Sequence, residues 1–487
     1  MIEKKNNYRS AGTASVFFML MLYWMCTTAW NIYGWHDQQR IAELGLLCIL
    51  PALSFLALDT PVFTSRADSL PAVFPPSFSP FVLFAGFALC GLASALHARF
   101  PHWALLEWAL LLSLCMGAFV VARLRQAHGA QFDRALLLVL SGVCAFYLFG
   151  FLGRYAVLFE GLPLRVRDMY TGFANPRFFG QFQTMTLPLL AVAAMAGRSS
   201  LQRWGAFALL AGWWMLSIVC GTRGTWLAIA AALAAVSLVG RRTGRSWVRR
   251  QLAGIAAGLA LYGLLFFAIP HLLGNQPDLI NRLPELGSLS HRDVLWAEAW
   301  RMIVGHPWLG VGPMHFAAVP NGIGAHPHNA VLQIAAEWGV PALLMLLAPV
   351  AIGFRRFAVM LRAGHDDASF SRILALSLFA ALVAAATQSL VDGVIVMPYS
   401  QVTLMAVAGW SMGMCAAAVR ADGLAASAAP GWQGALMPIA QLALLAILLR
   451  LALPDVPHLP QRMRHYSAAH HTEYFLPRFW QQGWINE

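Results

Sequence analysis

The sequence predicts an all-α integral membrane protein with roughly 12–13 transmembrane helices and a loop domain on the outer face. Apolar residues make up 59% of the 487 residues and charged residues 11%, whereas soluble proteins carry roughly 25% charged residues. Apolar runs of about 20 residues, the length of one membrane span, recur along the chain. Short basic clusters separate these runs, as the positive-inside rule requires.

The first apolar run follows Lys4, Lys5 and Arg9 and resembles a signal peptide. It is long and is not followed by a small-residue cleavage site, so we predict a retained first span. Together the predicted spans lie near 11–33, 41–58, 77–96, 103–122, 135–152, 181–196, 203–220, 224–240, 251–269, 339–354, 371–391, 399–419 and 434–452.

The basic clusters also predict the orientation of the spans. With a cytoplasmic N-terminus, the arginines within 241–250 and 355–372 all fall on the cytoplasmic side. The outer side then receives three longer segments, 153–180, 270–338 and 453–487. These segments hold most of the polar residues that are suited to chemistry.

The net charge of +12 does not indicate nucleic-acid binding, because the cations occupy the loops of a membrane protein. The seven cysteines lie in or beside apolar runs and form no CxxC pair. This pattern disfavours both a disulfide framework and a metal cluster.

Two short outer links contain arginines next to predicted spans. Arg223 lies in the link Thr-Arg-Gly-Thr-Trp, where a charge at the membrane edge is costly unless it binds a partner. The alternative is that it snorkels to the lipid headgroups. Arg177 follows an Asn-Pro turn in a stretch that extends to Gln181. Substrate binding and headgroup anchoring are equally open for Arg177.

Arg292 belongs to Ser290-His-Arg-Asp293, which begins a predicted helix. Ser290 is suited to cap that helix, and Arg292 would then lie in its first turn. The positive end of a helix dipole disfavours a cation unless an anion also binds there. The alternative is a local ion pair with Asp293.

His328 and Asn329 follow Pro327 and precede an apolar helix. A neutral imidazole suits a general base near pH 7, and a structural histidine is the alternative. The His-x-His spacing lacks a third ligand for metal.

Nucleotide loops and a GxSxG elbow are absent from the sequence, and acidic residues in spans are few, namely Glu43, Glu107 and, at a span edge, Asp392. Fixed guanidinium groups suit a diphosphate, and an imidazole suits deprotonation of a hydroxyl. The predicted reaction is attack of an alcohol on a carbon whose leaving group is a diphosphate.

The same residues resemble the O-antigen ligase and polymerase superfamily over roughly 170–400. His328-Asn329, nine residues and Gly339-Val-Pro-Ala342 match its hallmark, with Ala342 departing from the usual last glycine. The Thr222-Arg223-Gly224 turn is similar to the family's Ser/Thr-Arg-Gly motif, and the stretches 292–300 and 305–312 are similar to its core. The order of the three motifs also matches.

The resemblance implies a GT-C-like fold in the bacterial inner membrane, with a periplasmic active site that needs no metal or cofactor. Such ligases transfer a glycan from undecaprenyl diphosphate to a hydroxyl of lipid A-core, with inversion. By this resemblance His328 is the base, and Arg223 and Arg292 hold the diphosphate. Arg177, Asn329 and Gln181 are expected to bind substrate.

We expect N-terminal spans at 1–170, a ligase and polymerase core at 171–419 that includes the loop 270–338, and a last span with a periplasmic tail at 420–487. Protein O-oligosaccharyltransferases of the PglL and PilO type and Wzy polymerases share the donor chemistry. The long tail makes a pilin-like protein acceptor a serious rival to lipid A-core, which we favour. A lipid-linked glycan transporter is the alternative from another class.

Overall fold

The computed structural model describes residues 19–23, 25–29, 31–56, 80–279, 290–364, 367–421, 431–472 and 475–485. Within these ranges the regular structure is helical, apart from an isolated bridge between Arg165 and Asp278. The helices used below are α1 (Trp35–Leu47), α2 (Leu50–Leu56), α3 (Pro80–His97), α4 (Pro101–His128), α5 (Ala130–Tyr155), α6 (Pro176–Ala196), α7 (Ser200–Cys220), α8 (Arg223–Val239), α9 (Arg241–Gly263), α10 (Arg292–Gly305), α11 (Ala330–Trp338), α12 (Val340–Ala363), α13 (Phe370–Ser389), α14 (Pro398–Ala421), α15 (Gly431–Ala452) and α16 (Leu459–His470).

Nine helices in the described ranges are long and apolar enough to cross a membrane, which confirms an all-α integral membrane protein. They correspond to α3–α7, α9, α12, α13 and α15 with their extensions. Helix α8 is apolar but has 17 residues, and α14 has 24. These two helices coincide with predicted spans. The predicted span 11–33 lies partly outside the described residues.

The predicted span 41–58 differs from the structure, which has two short helices, α1 and α2, in this region. Helix α1 buries Asp37, Arg40 and Glu43, and Arg40 forms an ion pair with Glu43. A charged segment of this kind is satisfied by other parts of the protein rather than by lipid. The hydropathy of the sequence does not reveal these partners.

The core forms where α6 and α13 pack together, with α7 and α8 against them. Helix α14 packs along α4, where a β-carbon on Gly409 would lie 2.3 Å from the Ala118 carbonyl oxygen. Small residues at such contacts let membrane helices approach closely. In helix α12, in contrast, only 6% of the most apolar stretch is buried inside the protein.

The loops predicted to share the outer side come together at one end of the bundle. The Arg165–Asp278 bridge joins segment 153–180 to segment 270–338, and the Ile485 amide donates to the Ala317 carbonyl at 3.4 Å. At the opposite end, Thr243 donates to the Asp367 carbonyl at 3.1 Å. This arrangement places the candidate site residues at the end that carries the long loops.

Candidate functional site

Arg223, Arg292 and His328 come from three separate sequence motifs and belong to one connected cluster. Arg223 Nη2 donates to Ser290 Oγ at 2.8 Å, two residues before Arg292. Burial lowers the pKa of Arg292, Asp392 opposes this shift, and the charge of Arg223 adds to it. His328 Nδ1 lies 3.6 Å from Asp392 Oδ1. Asp392 therefore lies beside the imidazole and close enough to Arg292 for the two charges to interact.

The arginines of the cluster stand at the beginnings of helices. Arg223 is the first residue of α8 and Arg292 the first of α10. Arg177 is the second residue of α6, where its amide donates to Asn175 Oδ1 at 2.9 Å. A cation at this position meets the positive end of the helix dipole. Helix starts and guanidinium groups at one end of the bundle suit a multiply charged anion such as a phosphate.

Ser290 does not cap α10, which corrects the prediction. The residue before the helix is His291, whose backbone is left-handed with φ 61°, and its side chain makes no capping hydrogen bond. Ser290 instead accepts the hydrogen bond from Arg223 described above. The serine is thus used between segments rather than within its own helix, because the left-handed His291 occupies the capping position.

His328 has a left-handed backbone, with φ 52°, which is uncommon outside glycine. Its amide donates to His326 Nδ1 at 3.2 Å. Asn329 accepts from the Leu332 amide at 3.0 Å and caps α11. Trp296 of α10 donates to the Pro327 carbonyl at 3.0 Å. These contacts fix the backbone of the catalytic candidate on both sides.

Asp392 is the residue that the sequence interpretation did not include in the site. It is buried and accepts from the Gly393 amide at 2.9 Å. Burial raises its pKa, but His328, the Gly393 amide and Arg177 outweigh burial and bring the pKa below its usual value. The sequence contains a signal that points to Asp392, because this charged residue lies in a short link between two predicted spans, as Arg223 does.

His326 is buried beside His328, and the two ring centroids lie 4.1 Å apart. Burial holds the pKa of His326 well below its ordinary value, and the charge of His328 acts in the same direction. A β-carbon on Gly393 would lie 2.5 Å from the His326 ring. His326 is therefore a neutral packing residue between the His328 loop and the Asp392 loop.

Gln181 and Arg177 lie one turn apart on α6 but have different surroundings. Gln181 is buried and accepts from Ser400 Oγ of α14 at 2.7 Å. The charge of Arg177 acts on Asp392. The described contacts thus associate Arg177 with the cluster and Gln181 with the packing between α6 and α14.

The arrangement has the parts for proton transfer next to an anion. His328 Nδ1 makes no hydrogen bond within the described residues but lies 3.6 Å from Asp392 Oδ1, where the carboxylate is able to stabilise an imidazolium, and Nε2 is the ring nitrogen that remains to accept a proton from a hydroxyl group. In the part of the chain that the structure describes, no three His, Cys, Asp or Glu side chains converge as metal ligands. The positive charge of the cluster comes from guanidinium groups.

Comparison with known proteins gives two findings. Residues 205–347 match the family described as O-Antigen ligase, and this segment contains Arg223, Arg292 and His328. Over 205 residues the chain is 30% identical to an O-antigen ligase of Pseudomonas aeruginosa. The match covers 39% of this chain and 44% of that protein, so less than half of the relative's length is spanned.

Proposed function

We propose, from the match of residues 205–347 to the O-Antigen ligase family, that this protein transfers a glycan from undecaprenyl diphosphate to a hydroxyl of lipid A-core. The reaction takes place at the periplasmic face of the bacterial inner membrane. The observation that supports it most is the cluster in which Arg223, Arg292 and the His328–Asp392 pair meet at one end of the bundle.

In this mechanism, Arg223 and Arg292 bind the diphosphate of the donor. Guanidinium groups hold phosphate oxygens bidentately and neutralise the charge that develops on the leaving group. They supply this stabilisation without a metal ion or nucleotide. Arg177 adds positive charge from the start of α6.

His328 acts as the general base. The acceptor oxygen attacks the anomeric carbon while its proton passes to Nε2 of His328. The bond from that carbon to the diphosphate oxygen breaks, and undecaprenyl diphosphate leaves with the electron pair. Attack from the face opposite the leaving group inverts the anomeric centre. Asp392 stabilises the imidazolium and sets the orientation of the ring.

The acceptor is the point on which rival functions differ, since protein O-oligosaccharyltransferases and polymerases use the same donor chemistry. In the sequence analysis a protein acceptor was a serious rival to lipid A-core, because of the long outer tail and the His326-Pro-His328 stretch. In the structure, residues 477–485 of that tail are buried against the rest of the protein, so they are not a free arm for docking a protein. This observation and the O-antigen ligase relative favour lipid A-core.

A gene deletion followed by gel analysis of lipopolysaccharide and of pilin-like glycoproteins tests the acceptor. We expect the lipopolysaccharide ladder to disappear and glycoprotein mobility to stay unchanged. Loss of sugar from a protein with an intact ladder would overturn the lipid acceptor in favour of the protein transferase.

A purified reaction with a glycan-linked undecaprenyl diphosphate tests the enzyme against the transporter alternative. We expect His328→Ala to abolish transfer while it still binds the donor, because the arginines remain. His271→Ala, which changes an exposed histidine of the outer segment 270–338 outside the family's motifs, is the matched control and keeps full transfer. Full transfer by His328→Ala would contradict the mechanism.

A further inference from the structure

The C-terminal part of the described chain is a buried strap, which we define as residues 475–485. The large side chains of Phe479, Trp480 and Trp484 are all buried. A β-carbon on Gly483 would lie 3.3 Å from the β-carbon of Ala325, three residues before His328. The strap therefore packs directly against the loop that carries the proposed base.

Arg478 is the charged residue at the centre of the strap, and its side chain is 1% exposed. Nε donates to Glu107 Oε2 of α4 at 3.0 Å, and Nη2 donates to Glu337 Oε2 of α11 at 2.6 Å. With the Gln333 amide oriented to accept, its oxygen lies 2.9 Å from both Nη atoms. Gln333 and Glu337 are one turn apart on α11. Arg478 thus joins one face of that helix to α4.

The same strap also reaches the loop that carries Asp392. Arg40 Nε donates to the Phe479 carbonyl at 3.1 Å. Its Nη2 donates to the Val396 carbonyl at 2.8 Å, four residues after Asp392. His36 Nε2 lies 3.2 Å from the Arg478 carbonyl oxygen. Through Arg40, the strap backbone is tied to the second half of the catalytic pair.

We propose that Arg478 is a positioning residue, which sets the His328–Asp392 geometry by fixing α11 and the 390–397 loop to one strap. The inference rests on the proposed function, because it assigns these two residues to the reaction. Two carboxylates share the buried guanidinium, so removing it leaves uncompensated charge beneath α11. A displacement of about 1 Å in a catalytic group can lower the rate about 100-fold.

The test uses the full-length protein and compares Arg478→Gln and Arg478→Lys with Arg464→Gln. Arg464 is exposed on α16 in the same C-terminal region, donates to the Pro460 carbonyl of its own helix at 3.3 Å and is the matched control. For each monodisperse preparation, kcat, the donor KM and hydrogen exchange at 325–338 and 390–397 are measured. We expect Arg478→Gln to lower kcat about 100-fold with donor KM nearly unchanged, and exchange to rise in both segments.

Arg478→Lys is expected to recover part of kcat, because an ammonium group keeps the charge but cannot hold both acids in the same geometry. Gly483→Ala is a second, uncharged variant for the case in which Arg478→Gln does not fold. Gly483 has φ 90°, and a β-carbon at this position would lie 1.8 Å from the Leu476 carbonyl oxygen. We expect it to displace the strap against Ala325, with the same fall in kcat.

A purely structural role would reduce yield and Tm but leave kcat per folded molecule and the exchange of the two segments at wild-type values. That outcome, or an equal effect of Arg464→Gln, overturns the inference. A wild-type protein without transfer activity would instead contradict the proposed function. The exchange data would then still decide whether Arg478 fixes the two segments.

Discussion

At the residue scale, the candidate site depends on a few side chains and on their positions relative to the helices. Arg223 and Arg292 are the first residues of helices, His328 lies two residues before α11, and Asp392 lies in the short link between α13 and α14. The helices beside them therefore fix the positions of these residues around one site. Substitutions at these positions test roles rather than the stability of a helix interior.

Arg223→Lys keeps the charge and loses the planar fork that binds two oxygens. We expect kcat/KM for the lipid-linked donor to fall about 10- to 100-fold, the value of one or two charged hydrogen bonds. Arg301→Lys is the control, since Arg301 is an exposed arginine of α10 paired with Glu298. Equal activities of Arg223→Lys and wild type would show that only positive charge is needed.

Asp392→Asn removes the carboxylate 3.6 Å from His328 Nδ1 and keeps nearly the same shape. We expect kcat to fall at least about 100-fold, because the imidazolium formed during proton transfer loses its counter-charge. Donor binding, measured by displacement of a labelled undecaprenyl diphosphate, should weaken little or strengthen, since a negative charge near the arginines is removed. A kcat within a factor of two of wild type would exclude Asp392 from the reaction.

His326→Gln tests the buried neutral imidazole through the pH dependence of stability. The pKa of His326 is held well below 6.5 in the folded protein, chiefly by burial. The unfolded chain therefore takes up a proton below pH 6.5 that the folded protein does not. Wild type loses about 1 kcal/mol of stability from this group between pH 7.5 and 5.5.

The His326→Gln variant has no imidazole to protonate at this position, so it does not lose this stability as the pH falls. Its side chain keeps an acceptor for the His328 amide. The stability difference between wild type and His326→Gln, measured by thermal unfolding in detergent, should thus narrow as the pH falls. A difference that stays constant over this range would show that His326 takes up its proton alike in the folded and the unfolded protein, and a difference that widens would show that His326 is protonated in the fold.

At the element scale, Gly339 separates α11 from α12 and is the first glycine of the His-Asn motif. Its φ is 88°, and a β-carbon there would lie 2.2 Å from the Trp308 carbonyl oxygen. We expect Gly339→Ala to destabilise the protein by about 2–4 kcal/mol and to lower activity, because α11 must shift. Gly353→Ala in α12, where a side chain would meet nothing within 4 Å, is the control and should be nearly neutral. Similar thermal unfolding of both variants would contradict this explanation of the glycine.

The sequence predicted most helices because an apolar run of span length has few other structures open to it. It failed at α1 and α2, since the acceptability of Arg40 and Glu43 depends on Val396 and Phe479, which are distant in sequence. The candidate site was predicted only in part for the same reason, namely that contacts between residues distant in sequence are not visible in the sequence. The cost of a charge in a short link predicted Arg223 as a functional candidate, but the meeting of Asp392 with His328 depends on tertiary packing.

At the scale of the whole molecule, the orientation in the membrane remains a prediction from the basic clusters. Glu160 lies at the end of the bundle with the long loops, Ser200 lies at the opposite end, and both residues are exposed. Each is replaced by cysteine in a separate variant. We expect a membrane-impermeant maleimide added to cells with a permeable outer membrane to label Glu160→Cys. Ser200→Cys should react only after lysis. Wild type, with seven native cysteines, gives the background, and the reverse labelling would place the site in the cytoplasm.

The arginines at the helix starts have a kinetic consequence. In the proposed mechanism they bind the diphosphate, which stays on the spent carrier and gains negative charge when its bond to the sugar breaks. The empty protein should therefore bind the spent carrier at least as tightly as the donor, and free undecaprenyl diphosphate should act as a competitive product inhibitor. Steady turnover in the cell would depend on an enzyme that removes the spent carrier as fast as it is released.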